Sequence, residues 1–222
     1  MSFVIADTDG NVSEYLGYEE AKGRICIRVI NYEHNQESIR NLSYIVVEDL
    51  AVLFCYVPDD PAHTGGKVLS RPLQITRRDL DNWKIDADRL FLDAAAASAG
   101  VHPPFLIPMR RLLGLSGELD EGEIPMYVLS CRDARYGASA LFYPGVLHSI
   151  ALGLLDDLYI IPSSVHELIL LRAEDVKDAD ALRTMIRDIN RSEVDPSEVL
   201  SNSLYYYDRW KDRLQRTLGG ED

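Results

Sequence analysis

Between residues 126 and 171 the chain alternates apolar runs with one amphipathic pattern, and this order constrains the fold more than any other part of the sequence. The runs are short, rich in apolar residues and bounded by turn residues, which is typical of strands. The longest segment places its apolar residues at helical spacing. In chain order the segments are strand Met126–Cys131, strand Ala138–Tyr143, helix Val146–Leu155, strand Leu158–Ile161 and strand Glu167–Leu171.

The spacing of these strands indicates the fold class. Neighbouring strands joined by short turns favour antiparallel pairing, whereas a doubly wound fold would alternate strand and helix throughout. We therefore predict a single α+β domain with a mostly antiparallel sheet and helices packed on one face. The domain is expected to span residues 24–218 after a polar N-terminal segment, residues 1–23, with a possible sub-domain break near residues 101–123, where prolines and acidic residues cluster.

Further strands and helices are predicted on both sides of this block. Over Arg24–Asn31 apolar residues alternate with Arg24 and Arg28, which indicates a half-buried strand. The other predicted elements before the central block are a short helix over Glu33–Asn41, one bulged or two short strands over Tyr44–Val57, a loop over Pro58–Gly66, an edge strand over Val68–Ile75, helices that begin at Thr76 and Asp86, a helix over Phe105–Leu113 and an acidic loop over Ser116–Glu123. After it the sequence predicts a helix over Asp178–Asn190 and a last helix from Asp195 with Leu204, Tyr207, Leu214 and Leu218 on one stripe.

The charge of the chain excludes some classes of partner. Aspartate and glutamate number 36 against 23 lysines and arginines, which gives a net charge of −13. Such a chain lacks the cations that displace counterions from phosphates, so we expect it to bind neither nucleic acid nor an anionic membrane surface. Its acidity either serves solubility or complements a protein partner with a basic surface.

The cysteines and the apolar windows indicate a cytoplasmic protein. Cys26, Cys55 and Cys131 lie in apolar runs without C-x-x-C spacing, as buried thiols in a reducing compartment do. The N-terminus MSFVIADTDG lacks the basic region and the apolar length of a signal peptide. Glu48 and Asp49 interrupt the most apolar window, so the sequence predicts no transmembrane span.

Two strand-connecting turns hold the candidate site residues. These residues are Arg132 and Tyr136 in the first turn, and Ser163, Ser164, His166 and Glu167 in the second. A serine near a histidine and a carboxylate is compatible with a nucleophile and its base. The alternative is structural, because Ser164 and His166 lie only two positions apart and Pro-Ser-Ser turns usually bond their hydroxyls to the local backbone.

The remaining motifs predict no cofactor and no metal. The other histidines have no partner at metal-ligand spacing, and Gly65-Gly66-Lys67 is followed by Val68 where a phosphate loop requires serine or threonine. Asn31 ends a strand and begins a helix, so an N-cap is the simpler interpretation than a ligand contact. The aromatic run Tyr205-Tyr206-Tyr207 is interpreted as core or interface packing rather than as a stacking platform for bases.

Three stretches of the chain resemble a known family. They are RICIRVINYEHNQESIRN over Arg24–Asn41, ITRRDLDNWKIDADRLFLDAAAASA over Ile75–Ala99, and Met126–Tyr207 with its MYVLS, GASALFYPGVL and LYIIPSSVHELIL blocks. They are similar to a bacterial family of unknown function that is abundant in anaerobic gut bacteria, and the resemblance as a whole spans about residues 24–215. The resemblance implies no activity, cofactor or catalytic residue. It also implies relatives with a longer N-terminal segment.

Two hypotheses about function follow from the sequence. The leading one is a non-enzymatic cytosolic protein that acts by protein–protein contact, regulatory or associated with a mobile element. In its sharpest form it is an inhibitor whose carboxylates take the place of nucleic-acid phosphates. The alternative is a hydrolase-like or transferase-like enzyme in which the two turns meet at one edge of the sheet and form a site.

Overall fold

Antiparallel pairing dominates the fold, as the sequence predicts. The computed structural model describes residues 3–6, 12–15, 17–57, 73–115, 117, 123–132, 135–192 and 194–217. The strands are β1 (Phe3–Ala6), β2 (Val12–Tyr15), β3 (Ile25–Asn31), β4 (Tyr44–Val47), β5 (Leu50–Tyr56), β6 (Leu73–Gln74), β7 (Pro104–Pro108), β8 (Met126–Cys131), β9 (Leu158–Ser164), β10 (Glu167–Arg172), β11 (Tyr205–Asp208) and β12 (Arg213–Arg216). Each strand in this described part pairs with its neighbour in the antiparallel sense, which confirms an α+β fold.

Helices lie between these strands. They are α1 (Tyr18–Ala21), α2 (Tyr32–Ile39), α3 (Arg77–Trp83), α4 (Ala87–Val101), α5 (Met109–Leu112), α6 (Val146–Leu154) and α7 (Ala179–Ser192), with short 3₁₀ helices at Lys22–Arg24, Gly137–Phe142 and Ala173–Asp175. The predicted caps are present at two of them. The Thr76 hydroxyl accepts the Asp79 N–H while the Asp79 carboxylate accepts the Thr76 N–H, and the Asp86 carboxylate accepts the Arg89 N–H at 2.7 Å.

The strands form two larger sheets and a separate β1–β2 pair. The six-stranded sheet has the order β12-β11-β9-β10-β8-β7, and the four-stranded sheet has the order β3-β5-β4 with β6 also paired to β5. Every residue of β5 is buried, because both faces of this strand are covered. One hydrophobic core joins the two sheets and contains Ile27 and Phe54 from the smaller sheet and Leu129, Leu158 and Ile160 from the larger one.

Two helices cover the strands on either side of that core. Helix α4 runs along β3, which is an edge strand, and the Ser98 hydroxyl of α4 accepts the Ile27 N–H at 2.8 Å. This bond satisfies a backbone donor that an edge strand would otherwise leave unpaired. Helix α7 covers the outer face of the larger sheet, where Leu182 and Ile186 pack on Ile161 and Leu171.

The predicted strand Ala138–Tyr143 is wrong, because all of its residues but Tyr143, which follows directly, belong to the 3₁₀ helix Gly137–Phe142. The backbone passes very close to the neighbouring turn at Gly137. A Cβ atom at this position would collide with the His166 carbonyl oxygen and the Ser130 hydroxyl. Only glycine fits such an approach, and the chain then leaves the sheet and packs its apolar residues into the shared core.

The predicted helix Phe105–Leu113 is correct only in its second half. Residues 104–108 form β7 at the edge of the larger sheet, and α5 follows. Proline occupies both ends of β7, where a missing N–H costs no ladder bond on the solvent side. The run pairs with β8 from Pro104 opposite Cys131 to Pro108 opposite Tyr127.

The predicted C-terminal helix is also wrong, because residues 205–216 form the β11–β12 hairpin. In β11 the exposure alternates, with Tyr205 and Tyr207 buried and their neighbours half-buried, which is the period of a strand. Asp212, with φ 46°, lies in the turn of the hairpin. Asp195 does cap its own turn, since its carboxylate accepts the Ser197 N–H at 2.8 Å, but no helix follows it in the described residues.

Several predictions lie wholly or partly outside the described residues. They are the loop Pro58–Gly66, most of the edge strand Val68–Ile75 and most of the acidic loop Ser116–Glu123. The division into residues 1–23 and 24–218, with a possible break at 101–123, stays a prediction.

Two buried serines give a matched test of this packing. Replacing Ser98 with alanine leaves the Ile27 N–H without its acceptor, so we expect a loss of about 1–3 kcal/mol in the free energy of unfolding. Ser139 is equally buried, yet its hydroxyl has no hydrogen-bond partner among the described residues. Ser139→Ala should therefore be neutral or slightly stabilising. Urea unfolding of both variants checks this, and an equal loss in the two would contradict it.

Candidate functional site

The two turns that hold the sequence-predicted site residues lie in contact. The Tyr136 N–H donates to Nδ1 of His166 at 3.2 Å, and the centroids of the two rings are 5.6 Å apart. The Ser130 hydroxyl donates to the His166 carbonyl at 2.8 Å, which holds the end of β8 against the second turn. The sequence offered a meeting of the two turns at one edge of the sheet as a hypothesis. In the structure the turns do meet, but they adjoin the inner strands β8, β9 and β10 rather than an edge strand.

Both ring nitrogens of His166 are engaged. Because Nδ1 accepts the Tyr136 N–H, the proton of the neutral ring resides on Nε2. Nε2 lies 3.4 Å from Oε1 of Glu198, a residue that follows α7 and that the sequence did not single out. The ring is thus oriented from two sides by a backbone amide and a carboxylate.

The hydroxyls of the second turn bond to the local backbone. The Ser164 hydroxyl accepts the His166 N–H at 3.1 Å, and the Ser163 hydroxyl donates to the Glu167 carbonyl at 3.3 Å. This is the structural alternative for a Pro-Ser-Ser turn. Glu167 lies at the first position of β10, and Arg132 is exposed with its N–H donating to the Pro103 carbonyl at 3.3 Å.

Arg28 extends this cluster, which we call the turn cluster (Arg28, Tyr136, Ser164, His166 and Glu198). Its guanidinium carbon lies 3.2 Å from the centroid of the Tyr136 ring, in a cation–π contact. The alternation of β3 predicted that Arg28 leaves the core face of its strand. The contact between Arg28 and Tyr136 could not be predicted, because the two residues lie far apart in the sequence and no local pattern links them.

A second group of polar residues surrounds Asp49 at the turn between β4 and β5. Its carboxylate accepts the hydroxyls of Ser201 at 2.6 Å, Ser203 at 2.9 Å and Tyr205. Burial, together with the bond to Asp49, raises the pKa of Tyr205 well above its ordinary value. Nearby, the Asn31 side chain caps α2 by accepting the His34 N–H at 2.8 Å and donates to the Leu200 carbonyl at 3.0 Å, so its predicted capping role is present.

A groove beside α7 offers room for a partner. Its volume is about 480 Å³, and we call it the α7 groove. The groove is lined by apolar residues together with carboxylates and one lysine: Glu123, Ile124, Pro125, Glu174, Asp175, Val176, Lys177, Asp178, Ala181, Leu182 and Met185. A mixed lining of this kind is common where proteins bind ligands or peptide segments. The sequence gave no indication of it, because the residues come from two distant stretches, 123–125 and 174–185.

The carboxylates of the α7 groove are partly paired. Arg172 contacts both Glu174 and Asp175, and Arg110 contacts Glu123 at 2.5 Å. Asp178 accepts the N–H groups of Asp180 at 2.9 Å and Ala181 at 3.0 Å, so it caps α7 while its charge stays at the rim. The described residues around the groove therefore carry slightly more negative than positive charge.

The structure also bears on metals and membranes. Among the described residues, no group of three or more histidine, cysteine, aspartate or glutamate side chains is arranged to hold a metal ion. Within the same part of the chain, no helix has both the length and the apolar character to cross a bilayer. The three cysteines are buried and form no disulfide.

Comparison with known proteins identifies one relationship. The model of a family of unknown function (DUF5688) matches residues 4–209, which confirms the resemblance seen in the sequence and extends it toward the N-terminus. No curated protein and no solved structure matches the chain.

We expect Asp49→Ala to cost about 2–4 kcal/mol in the free energy of unfolding, because it leaves three hydroxyl donors without their acceptor at once. Asp81→Ala is the control, since Asp81 is an exposed aspartate on α3 and its loss should stay within about 0.5 kcal/mol. Chemical denaturation measures both. Equal stability of the two variants would show that Asp49 does not hold the sheets together.

The raised pKa of Tyr205 predicts a loss of stability in alkali. The unfolded tyrosine loses its proton near pH 10, whereas the folded one keeps it, so the folded state binds more protons and stability falls as pH rises above about 10. The contribution of Tyr205 is complete below that pH. Tyr205→Phe should make the decline less steep in denaturant melts taken across pH 9 to 11, and an unchanged slope would contradict the assignment.

Proposed function

The chain belongs to this family of unknown function, and we propose that it is a non-enzymatic binding protein whose α7 groove contacts a protein partner with a basic surface. The observation that carries the proposal is the groove itself, which combines an apolar floor with carboxylates at its rim. The partner segment that fits it presents an apolar side chain next to lysine or arginine.

The apolar surface of α7 supports a partner at this place. Leu182 and Ile186 face the sheet and are buried, while Met185 and Ile189 on the same helix are 37% and 41% exposed. The apolar stripe is therefore wider than the sheet beneath it can cover. Met185 lines the groove, so the exposed part of the stripe continues the groove floor. Contiguous exposed apolar surface rimmed by charge is typical of contact sites between proteins.

The negative net charge of the chain supports a partner with a positively charged surface. The chain carries a net charge of −13, and the groove rim contributes four carboxylates from Glu123, Glu174, Asp175 and Asp178. Arg172, Arg110 and Lys177 offset most of that local charge, so the long-range attraction comes from the whole molecule and the rim provides short-range pairing. Such attraction speeds encounter with a basic partner and weakens with salt.

The state of the turn cluster favours binding over catalysis. A histidine that serves as a general base must have a nitrogen free to accept a proton. In His166, Nδ1 holds the Tyr136 N–H and Nε2 faces Glu198, while both serine hydroxyls serve the local backbone. The hydrolase-like or transferase-like alternative, with Arg132, Tyr136, Ser163, Ser164, His166 and Glu167, stays a prediction. It would require His166 to release one of these contacts.

The proposal also includes the compartment in which the protein acts, which is the cytoplasm. Three buried thiols without a disulfide are typical of a protein that folds in a reducing compartment, and this supports a cytoplasmic protein. A regulatory role, or one associated with a mobile element, fits a protein that acts by contact.

The test uses defined peptides and a substitution that fills the groove. A fluorescent amphipathic Lys/Leu peptide should bind the full chain, while its Glu/Leu analogue should not. Affinity should fall as salt rises from about 0.01 to about 1 M, where the Debye length shrinks from about 30 to about 3 Å. Ala181→Arg places a cationic side chain in the groove, and we expect it to weaken binding about tenfold or more.

The matched control is Gln36→Arg, which adds the same charge on an exposed position of α2. This variant should bind like the original chain apart from a small uniform effect of charge. If Ala181→Arg and Gln36→Arg weakened peptide binding equally, binding would depend on the net charge of the chain alone, and the groove would be ruled out as the binding site. Binding of the Glu/Leu peptide with similar affinity would rule out the basic partner.

A further inference from the structure

We propose that Arg28, stacked on Tyr136, binds the carboxylate of a small anionic ligand. The site is distinct from the α7 groove and does not depend on the function proposed for it. Arg28 is half-buried in β3, and its guanidinium lies against the Tyr136 ring at 3.2 Å. Within the described chain no aspartate or glutamate lies at ion-pair distance from it, although the chain is rich in carboxylates.

The polar neighbour of Arg28 does not supply the missing charge. That neighbour is the thiol of Cys55, which is buried on β5 directly opposite Cys26. Burial raises the pKa of Cys55 to about 11, despite the nearby guanidinium, so the thiol is neutral at physiological pH. Burial likewise lowers the pKa of Arg28, although an arginine keeps its proton in proteins. A half-buried cation therefore faces a neutral thiol and an aromatic ring.

The cation–π contact with Tyr136 uses none of the guanidinium N–H donors, and the single sulfur atom of Cys55 accepts only part of the five. Tyr136 covers a face of the planar group, whereas its N–H donors lie in the plane and point outward from the edge. A carboxylate matches two of these donors in a bidentate pair, which lysine cannot form. With an aromatic ring on its face and a carboxylate at its edge, the guanidinium would make a cation–π contact and a bidentate hydrogen bond at the same time.

The platform under Arg28 is fixed in place. Tyr136 has a left-handed backbone conformation, with φ 53°, that a bulky residue adopts only when its surroundings impose it. Its N–H bond to His166 and the close approach of Gly137 to the second turn provide that constraint. A ring held in this way orients the guanidinium before a ligand arrives, and such preorganisation lowers the entropic cost of binding.

The charge of the molecule limits the size of the anion. A protein of net charge −13 repels a polyanion, and Glu198 is engaged by His166 at 3.4 Å. One guanidinium balances one carboxylate, so a small organic acid fits the site better than a nucleic acid or an anionic membrane.

The experiment titrates sodium acetate into the full ¹⁵N-labelled chain against sodium chloride at equal ionic strength. We expect a saturable shift of the Arg28 Nε–H signal with acetate and none with chloride. Arg28→Met should abolish the saturable response, and Arg28→Lys should weaken it at least about tenfold, because the bidentate pair is lost. Arg40→Met is the control, since Arg40 is exposed and pairs with Glu37 at 3.6 Å on the surface.

Arg28→Lys keeps the charge and the stem, so a test remains if Arg28→Met fails to fold. A linear response to acetate, or a response that survives unchanged in Arg28→Lys, would overturn the proposal. A tighter response to inorganic phosphate than to acetate would overturn the assignment to carboxylates. Loss of the response in Arg40→Met would also count against the site.

Discussion

The carboxylate of Asp49 is the interaction on which the arrangement of the two sheets depends. It lies in the tight turn between β4 and β5, where Glu48 has φ 56°, and it accepts hydroxyls from Ser201, Ser203 and Tyr205 across the molecule. Its backbone carbonyl also accepts the Tyr32 N–H at 3.0 Å. A partly buried carboxylate is stable only with such donors. The β4–β5 turn, the start of α2 and the segment that leads into β11 are therefore joined at one residue, and Leu50 and Tyr205 of the shared hydrophobic core lie beside it.

The elements that the sequence predicted well are those whose patterns are local. The runs at Met126–Cys131 and Leu158–Ile161, and the caps at Thr76 and Asp86, depend on neighbours within a few positions, so periodicity and side-chain chemistry suffice to place them. The errors arose where tertiary packing decides. Residues 138–143 are as apolar as a strand, yet the contact of Gly137 with a turn far along the chain removes them from the sheet.

The candidate sites show the same limit. The sequence could place Tyr136 and His166 in two turns that flank one sheet, because both turns follow from local strand patterns. It could not add Arg28, which comes from the other sheet, or Glu198, which follows α7. The α7 groove could not be predicted for the same reason, since residues 123–125 become neighbours of residues 174–185 only when the larger sheet is assembled. A site made of residues from distant segments leaves no pattern in the sequence.

Backbone strain distinguishes the turn cluster from other turns of the chain. Among the described non-glycine residues with positive φ, Glu48 and Asp212 lie in hairpin turns, and Lys84 and Leu155 end helices. These positions tolerate the left-handed conformation because the chain must reverse or stop there. Tyr136 precedes a 3₁₀ helix instead, and its side chain makes no capping bond. Its conformation has a different consequence: it brings an aromatic ring over a guanidinium that has no carboxylate partner among the described residues. A strained residue beside a cation that lacks a carboxylate partner in the described chain is the combination from which the anion contact of Arg28 is proposed.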